Sequence, residues 1–214
     1  MSEDASRDIE ISLSDVRLPG SLFLPENAIG LVIFSHGTGS SRMSPRNRFV
    51  AQELSDAGVG SLLFDLLTSE EDEDPDNRFD IALMAGRLSA TTDWALEQDW
   101  ASALPIGYFG ASTGSAAAFK VITAGRGDVR AVVSRGGRPD LVLSDLKRVK
   151  VPTLLIVGGF DYQVRQYNER AREQLTGPSE LCIVPDASHL FEEEGALAQV
   201  AAHAIDWYLR YLRE

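Results

Sequence analysis

The chain of 214 residues is 44% hydrophobic and 24% charged, a composition and length that suit one globular domain. Its formal net charge of −12 would repel nucleic acid, so we expect no nucleic-acid partner. No apolar run approaches the roughly 18 residues of a membrane span, so we expect no membrane partner. The polar, acidic residues 1–8 are unlike a signal peptide, and the single cysteine, Cys182, cannot form an internal disulfide. Both features favour a cytoplasmic location.

The first quarter of the chain carries strand and helix patterns in alternation. Residues 8–13 and 16–24 alternate apolar and polar side chains, which predicts an antiparallel hairpin at a sheet edge. The apolar run 30–35 predicts a strand buried on both faces, followed by a Gly- and Ser-rich loop. Residues 45–57 predict an amphipathic helix. The apolar stripe of that helix is expected to consist of Phe49, Val50 and Leu54.

The same alternation continues to the end of the sequence, interrupted by an acidic stretch over 69–77 that predicts a solvated loop. Strands are predicted at 61–64, 106–109, 130–134, 152–157 and 181–184. Helices are predicted at 79–96, 140–148, 164–175 and 195–213, and one more begins near residue 113. The repeat predicts a single α/β domain over 1–214, with a doubly wound, mostly parallel sheet of about seven or eight strands, helices on both faces and no lid domain.

The stretch 110–114, Gly-Ala-Ser-Thr-Gly, fits the pattern G-x-S-x-G between a predicted strand and a predicted helix. A serine in this context sits on a sharp, strained turn with its hydroxyl exposed at the edge of the sheet. Side chains at Gly110 and Gly114 would collide with neighbouring backbone. The pattern predicts Ser112 as a nucleophile; the alternative is an ordinary helix N-cap.

A serine nucleophile needs a base, and the base needs an acid that orients it. Asp161 and His189 each follow a predicted strand, and ligands of open α/β sheets bind beyond the carboxyl ends of the strands. We therefore predict a catalytic triad of Ser112, Asp161 and His189. Asp140 and Asp65 are alternative acids, and Asp161 has the alternative role of a helix cap.

The remaining histidines and two threonines complete the candidate site. His36 is interpreted as shaping the loop before Gly37, with a role as base as the alternative, and His203 as a surface or core residue.

An acyl-transfer site needs donors for an oxyanion, usually two backbone N–H groups. We expect those of Thr38, after the first parallel strand, and Thr113, directly after the nucleophile.

Four short segments carry a resemblance to a known family: Ser35-His-Gly-Thr-Gly39, Gly110-Ala-Ser-Thr-Gly114, Gly158-Gly-Phe-Asp161 and Asp186-Ala-Ser-His189. With the strand end at 22–25 and the closing helix, they resemble small α/β-hydrolases of the dienelactone hydrolase family over nearly the whole chain. The resemblance implies hydrolysis of esters, lactones or related acyl compounds, with no cofactor and no metal. The enzyme that names the family uses a cysteine nucleophile where this chain has serine, so dienelactone itself is not the expected substrate.

The sequence therefore predicts a serine hydrolase that cleaves small carboxylic esters or lactones through an acyl-enzyme. Arg42, Arg135 and Arg138 fall around the predicted mouth of the site and could orient an anionic substrate. Alternatively, they neutralise nearby acidic loops. The alternative function is that of a non-catalytic ligand receptor or interaction module with a hydrolase fold. The expected partner is a small-molecule ester, and a homodimer is an assembly that the sequence leaves open.

Overall fold

A computed structural model describes residues 6–213, so the acidic start at residues 1–5 lies outside the described part. The eight strands are β1 (Ser6–Ser12), β2 (Arg17–Phe23), β3 (Leu31–Ser35), β4 (Gly60–Phe64), β5 (Ile106–Ala111), β6 (Val129–Arg135), β7 (Thr153–Gly158) and β8 (Ser179–Val184). The α-helices are α1 (Pro45–Asp56), α2 (Ser69–Asp72), α3 (Ile81–Leu96), α4 (Thr113–Thr123), α5 (Tyr162–Gln174) and α6 (Ala196–Tyr211). Two 3₁₀ segments occupy Asn77–Phe79 and Pro139–Arg148.

The eight strands form one sheet in the order β1-β2-β4-β3-β5-β6-β7-β8. The hairpin β1–β2 is antiparallel and joins β4 in antiparallel fashion, whereas all pairs from β4 through β8 are parallel. The chain runs from β3 outward to β4 and then crosses back to β5, which lies on the other side of β3. Loops that follow β3 and β5 therefore meet at the point where the strand order reverses, which is where α/β sheets bind ligands.

Helices cover both faces of the sheet because its central strands are buried on both sides. On one face α3, α4 and α5 pack over a core that includes Leu88, Phe119 and Tyr108. On the other face α1 and α6 pack over a core that includes Phe109 and Trp207. The predicted fold class is confirmed by this eight-stranded, mostly parallel sheet with helices on both faces.

Two local predictions are wrong. Phe49 is 38% exposed and does not belong to the apolar stripe of α1, whose buried residues are Asn47, Val50, Ala51 and Leu54.

The acidic stretch is not a loop throughout, because Ser69–Asp72 forms α2. Thr68 and Glu71 make reciprocal side-chain to backbone hydrogen bonds, which form a capping box at the start of α2.

The acidic stretch is also held by ion pairs with arginines. Arg87, whose side chain is 8% exposed, donates to Glu71 at 2.6 Å and to Asp15 at 2.8 Å. Arg78 makes a two-pronged contact with Asp72, with both N–O distances 2.9 Å. None of the helices within residues 6–213 combines the length and apolar character that crossing a membrane would require.

Candidate active site

A cavity of about 590 Å³ opens at the carboxyl ends of β3, β5 and β6. Ser112 and His189 both line it, together with Arg135 and the loop that follows β3. The topology explains this meeting, because Ser35 at the end of β3 pairs in register with Gly110 near the end of β5. The structure thus places residues that are far apart in the sequence around one opening.

Ser112 occupies a backbone conformation that few L-residues adopt, with φ of 51° and ψ of −123°. It lies between β5 and α4 and makes no side-chain cap to the helix, so the geometry does not match the alternative of an ordinary N-cap. The turn depends on its glycines. A Cβ at Gly114 would overlap the Ser35 carbonyl oxygen, and one at Gly110 would overlap the Ser115 backbone. The two glycines therefore permit a turn tight enough to place Ser112 in the lining of the cavity.

His189 and Asp161 form a close pair across the ends of β7 and β8. The His189 ring nitrogen Nδ1 lies 2.6 Å from Asp161 Oδ2, a distance at which an Nδ1–H group donates to the carboxylate. This tautomer leaves Nε2 of His189 as an acceptor. The Asp161 side chain is 14% exposed and makes no cap to α5, although it precedes that helix. Among the described residues, no hydrogen bond yet joins the Ser112 hydroxyl to His189.

The alternative acids are engaged elsewhere. Asp140 makes a two-pronged contact with Arg138, with both N–O distances 2.8 Å. Asp65 accepts the backbone N–H of Arg42 at 2.7 Å. Of the carboxylates considered from the sequence, Asp161 is the one that reaches His189.

The other two histidines lie outside the lining of the cavity. His203 is exposed on α6. His36 is 8% exposed; its Nδ1 lies 3.0 Å from the Gly37 carbonyl oxygen, and its Nε2 accepts the N–H of Leu66 at 3.0 Å. Burial lowers the pKa of His36 below its usual range. A neutral ring with its proton on Nδ1 satisfies both contacts, and it ties the loop after β3 to the end of β4.

The predicted oxyanion donors, Thr38 and Thr113, are brought together at the edge of the cavity. The N–H of Thr38 donates to Thr113 Oγ1 at 2.9 Å, and the two hydroxyl oxygens lie 3.0 Å apart. The Thr38 hydroxyl in turn donates to the Arg78 carbonyl at 2.7 Å. Thr113 is the first residue of α4, so its own N–H has no acceptor within the helix.

This threonine network was not foreseen from the sequence. A hydroxyl one position after the nucleophile is the only signal that the sequence offers, and it does not reveal which backbone group the hydroxyl contacts. The network also reaches the acidic stretch, because Arg78 is held by Asp72.

Of the three arginines predicted to bind substrate, the structure brings only Arg135 into the cavity. Arg42 donates to Asp8 at 2.9 Å and to Ser21 at 2.7 Å, and Arg138 is paired with Asp140. The guanidinium groups of Arg42 and Arg138 are therefore already occupied, and the structure does not support substrate contacts for them. Arg46, which was not among the predicted binding residues, also lines the cavity.

The described residues contain no cluster of three or more His, Cys, Asp or Glu side chains that could hold a metal ion. What the structure brings together at the cavity is a serine on a strained turn, a histidine that contacts an aspartate, and the N-terminus of α4 behind the serine. A mostly parallel sheet of this strand order, with the serine turn after β5, has the α/β-hydrolase fold.

The chain belongs to the dienelactone hydrolase family, whose sequence model matches residues 18–212. A crystal structure of a dienelactone hydrolase from Anabaena variabilis is 51% identical, with a TM-score of 0.93, and the match covers 98% of this chain and all of that one. The expected family is thereby confirmed.

Two other proteins are also similar to this chain. A Mycobacterium tuberculosis protein named "Putative phosphoribosyl transferase" is 50% identical over 205 residues, which are 96% of this chain and 46% of that protein. The chain thus spans about half the length of the curated relatives it matches. Est1E from Butyrivibrio proteoclasticus is 15% identical with a TM-score of 0.83, covering 97% of this chain and 99% of that one, and shows the shared fold.

Proposed function

We propose that the protein is a serine hydrolase that cleaves carboxylic esters or lactones through an acyl-enzyme. The observation that carries the proposal is that Ser112, on a strained turn, lines one cavity with His189, whose ring contacts Asp161. In a catalytic triad, the histidine accepts the serine proton and the aspartate orients and stabilises the charged imidazole. The 2.6 Å contact between His189 and Asp161 supports these two roles.

The reaction would begin with attack of the Ser112 hydroxyl oxygen on the substrate carbonyl as His189 Nε2 takes the hydroxyl proton. Collapse of the tetrahedral intermediate breaks the bond to the leaving alcohol, which receives the proton from His189 and leaves Ser112 acylated. A water molecule, deprotonated by the same histidine, then attacks the acyl-enzyme and releases the acid.

Backbone N–H groups would stabilise the oxyanion in both steps. The N–H of Thr113 stands at the N-terminus of α4, where the helix dipole favours negative charge. The N–H of Thr38 is the proposed second donor. Because Thr113 Oγ1 accepts this N–H in the structure, the proposed role requires the N–H to turn from the hydroxyl to the oxyanion.

Intact-mass measurement after incubation with a fluorophosphonate tests the nucleophile. We expect one adduct on the wild-type protein and none on Ser112→Ala, with hydrolysis of a short-chain nitrophenyl ester lost in parallel. His189→Ala should slow labelling while leaving Ser112 in place. Absence of both adduct and turnover in a folded wild-type protein would contradict the proposal and favour a non-catalytic ligand receptor.

A further inference from the structure

The three hydrogen bonds of the threonine network have only one consistent direction. The Arg78 carbonyl oxygen carries no proton, so the Thr38 hydroxyl donates to it at 2.7 Å. A hydroxyl has a single proton, and the 3.0 Å contact between the two hydroxyl oxygens is therefore a bond that Thr113 donates and Thr38 accepts. The Thr113 proton is used in this way, and its oxygen accepts the N–H of Thr38 at 2.9 Å. Each group in the network thus has one fixed role.

Contacts within the acidic stretch hold this direction in place. The Arg78 guanidinium group donates to both carboxylate oxygens of Asp72 and to its carbonyl oxygen, with all three N–O distances 2.9 Å. Asp72 ends α2, and the neighbouring Glu71 is bound by Arg87 of α3. These contacts fix the Arg78 carbonyl beside the Thr38 hydroxyl. The hydroxyl therefore cannot redirect its proton without losing a hydrogen bond.

The network engages a backbone group at the wall of the cavity. Thr38 lines the cavity, and Thr113, which supplies the acceptor, is 6% exposed. A backbone N–H has one proton to donate and makes one well-aligned hydrogen bond. A bond from the Thr38 N–H to Thr113 Oγ1 therefore competes with a bond from the same N–H to an oxyanion.

This competition has an energetic consequence for the proposed reaction. When the oxyanion forms, the Thr38 N–H would exchange a neutral acceptor for a charged one, and charge-assisted hydrogen bonds are roughly twice as strong as neutral ones. The exchange leaves the buried Thr113 oxygen without its donor, and a buried polar atom that loses its partner is destabilising. Part of the stabilisation of the oxyanion is thus offset by the bond that must first be broken.

We propose that Thr113 is a positioning residue whose hydroxyl holds the Thr38 N–H in the substrate-free protein and so slows acylation of Ser112. This inference rests on the proposed function, because it concerns the second oxyanion donor of the same site. It adds a form of regulation to that site, since the oxyanion hole is completed during the reaction and not before it. The backbone N–H of Thr113 keeps its role as the first donor.

The variant Thr113→Val tests the proposal, because valine has the shape of threonine and keeps the backbone N–H but accepts no hydrogen bond. We expect both the rate constant of fluorophosphonate labelling and kcat for a nitrophenyl ester to rise by about 3- to 10-fold, the range that one hydrogen bond contributes. KM should change little, because the oxyanion is absent from the bound ground state. A purely structural role of the hydroxyl would not produce this gain in kcat.

Three further variants isolate the effect of the hydroxyl. Thr113→Ser keeps an acceptor and should be labelled more slowly than Thr113→Val. Thr123→Val is the matched control, because Thr123 is buried in the same helix and its hydroxyl donates to the Lys120 carbonyl at 3.1 Å; its labelling rate should equal that of the wild type. In Thr38→Pro, which has no N–H at this position, the additional change Thr113→Val should give no gain.

The adduct of the wild-type protein provides a second test, which does not depend on the folding of any variant. A phosphonate bound to Ser112 carries an oxygen that mimics the oxyanion. In a crystal structure of this adduct, we expect the Thr38 nitrogen to lie about 3 Å from that oxygen, within hydrogen-bond distance. Retention of the 2.9 Å contact between the Thr38 nitrogen and Thr113 Oγ1 in the adduct would overturn the proposal.

An unchanged or lower labelling rate in a folded Thr113→Val would also overturn the proposed role of Thr113. The two proposals fail in distinguishable ways. Labelling of the wild type without a gain in Thr113→Val would retain the nucleophile and reject the role of Thr113. Absence of labelling in both proteins would reject the hydrolase and the role of Thr113 together. Labelling of Thr113→Val alone would support both proposals.

Discussion

At the scale of single residues, the backbone conformation of Ser112 shows how the local sequence positions a proposed catalytic group. A non-glycine residue at φ 51° and ψ −123° is strained by about 1–3 kcal/mol. The surrounding turn maintains that strain because neighbouring backbone packs directly against Gly110 and Gly114, closer than a Cβ atom would allow. The protein therefore gives up stability at the position where it presents its proposed nucleophile.

Replacing Ser112 by glycine should separate this strain from the chemistry. Ser112→Gly and Ser112→Ala both remove the hydroxyl, but only glycine adopts the observed conformation without steric cost. We expect Ser112→Gly to be more stable than Ser112→Ala by about 1 kcal/mol in free energy of unfolding. Urea titration of the two variants measures the difference. Equal or lower stability of the glycine variant would show that the turn carries no strain.

The second residue-scale prediction concerns the proposed oxyanion donor. Thr38→Pro deletes the backbone N–H and should lower kcat/KM for a nitrophenyl ester by on the order of 100-fold. Thr38→Ala is the control, since it keeps the N–H and loses only the hydroxyl contacts with Thr113 and Arg78. We expect the alanine variant to lose less than about tenfold. Near-normal activity of a folded Thr38→Pro would rule out this N–H as a donor.

At the scale of elements, His36 links segments that must stay aligned for the cavity to exist. It follows β3 directly, and its ring bridges the Gly37 carbonyl and the N–H that follows β4. Protonation would place a second N–H on Nε2, opposite the N–H of Leu66, and so break the contact. The loop that carries Thr38 is thus attached to its neighbouring strand through a neutral histidine.

This attachment predicts a pH dependence of stability. The pKa of buried His36 is lowered, so below about pH 6.5 the unfolded chain binds a proton that the folded protein excludes. The contribution of His36 is therefore complete above pH 6.5 and is lost as the pH falls, by at most about 1.4 kcal/mol per pH unit.

Thermal unfolding between pH 8 and pH 5 measures the effect. We expect His36→Gln to lose less stability on acidification than the wild type, because an amide has no proton to gain. The exposed His203→Gln serves as the matched control and should retain the wild-type slope. Parallel curves for His36→Gln and the wild type would contradict the assignment.

At the scale of the whole molecule, the sequence predicted the features that local patterns determine. Apolar runs gave the parallel strands, and the fold class followed from their alternation with helices. The His189–Asp161 contact also followed, because parallel strand ends share one edge of the sheet. These inferences need only the periodicity of side chains and the topology of parallel sheets.

Features that depend on long-range packing were beyond the sequence. Whether an arginine faces the cavity depends on which carboxylates lie near it in space. Arg42 is ion-paired with Asp8 and Asp65, which lie on other segments of the chain, whereas Arg46 lines the cavity. The target of the Thr38 N–H likewise depends on a hydroxyl 75 positions away. Helical periodicity places Phe49 in the apolar stripe of α1, but periodicity alone does not show how far the core beneath α1 and α6 extends.

The order of the candidate residues along the chain has a consequence for synthesis on the ribosome. His189 follows Ser112 by 77 positions, which at about 5–20 residues per second corresponds to roughly 4–15 seconds of translation. Tyr208, whose hydroxyl donates to the Tyr108 carbonyl at 2.7 Å and so supports the strand before Ser112, emerges later still. For these seconds the nascent chain carries Ser112 without its proposed base, so the proposed chemistry would begin only after all eight strands have been synthesised.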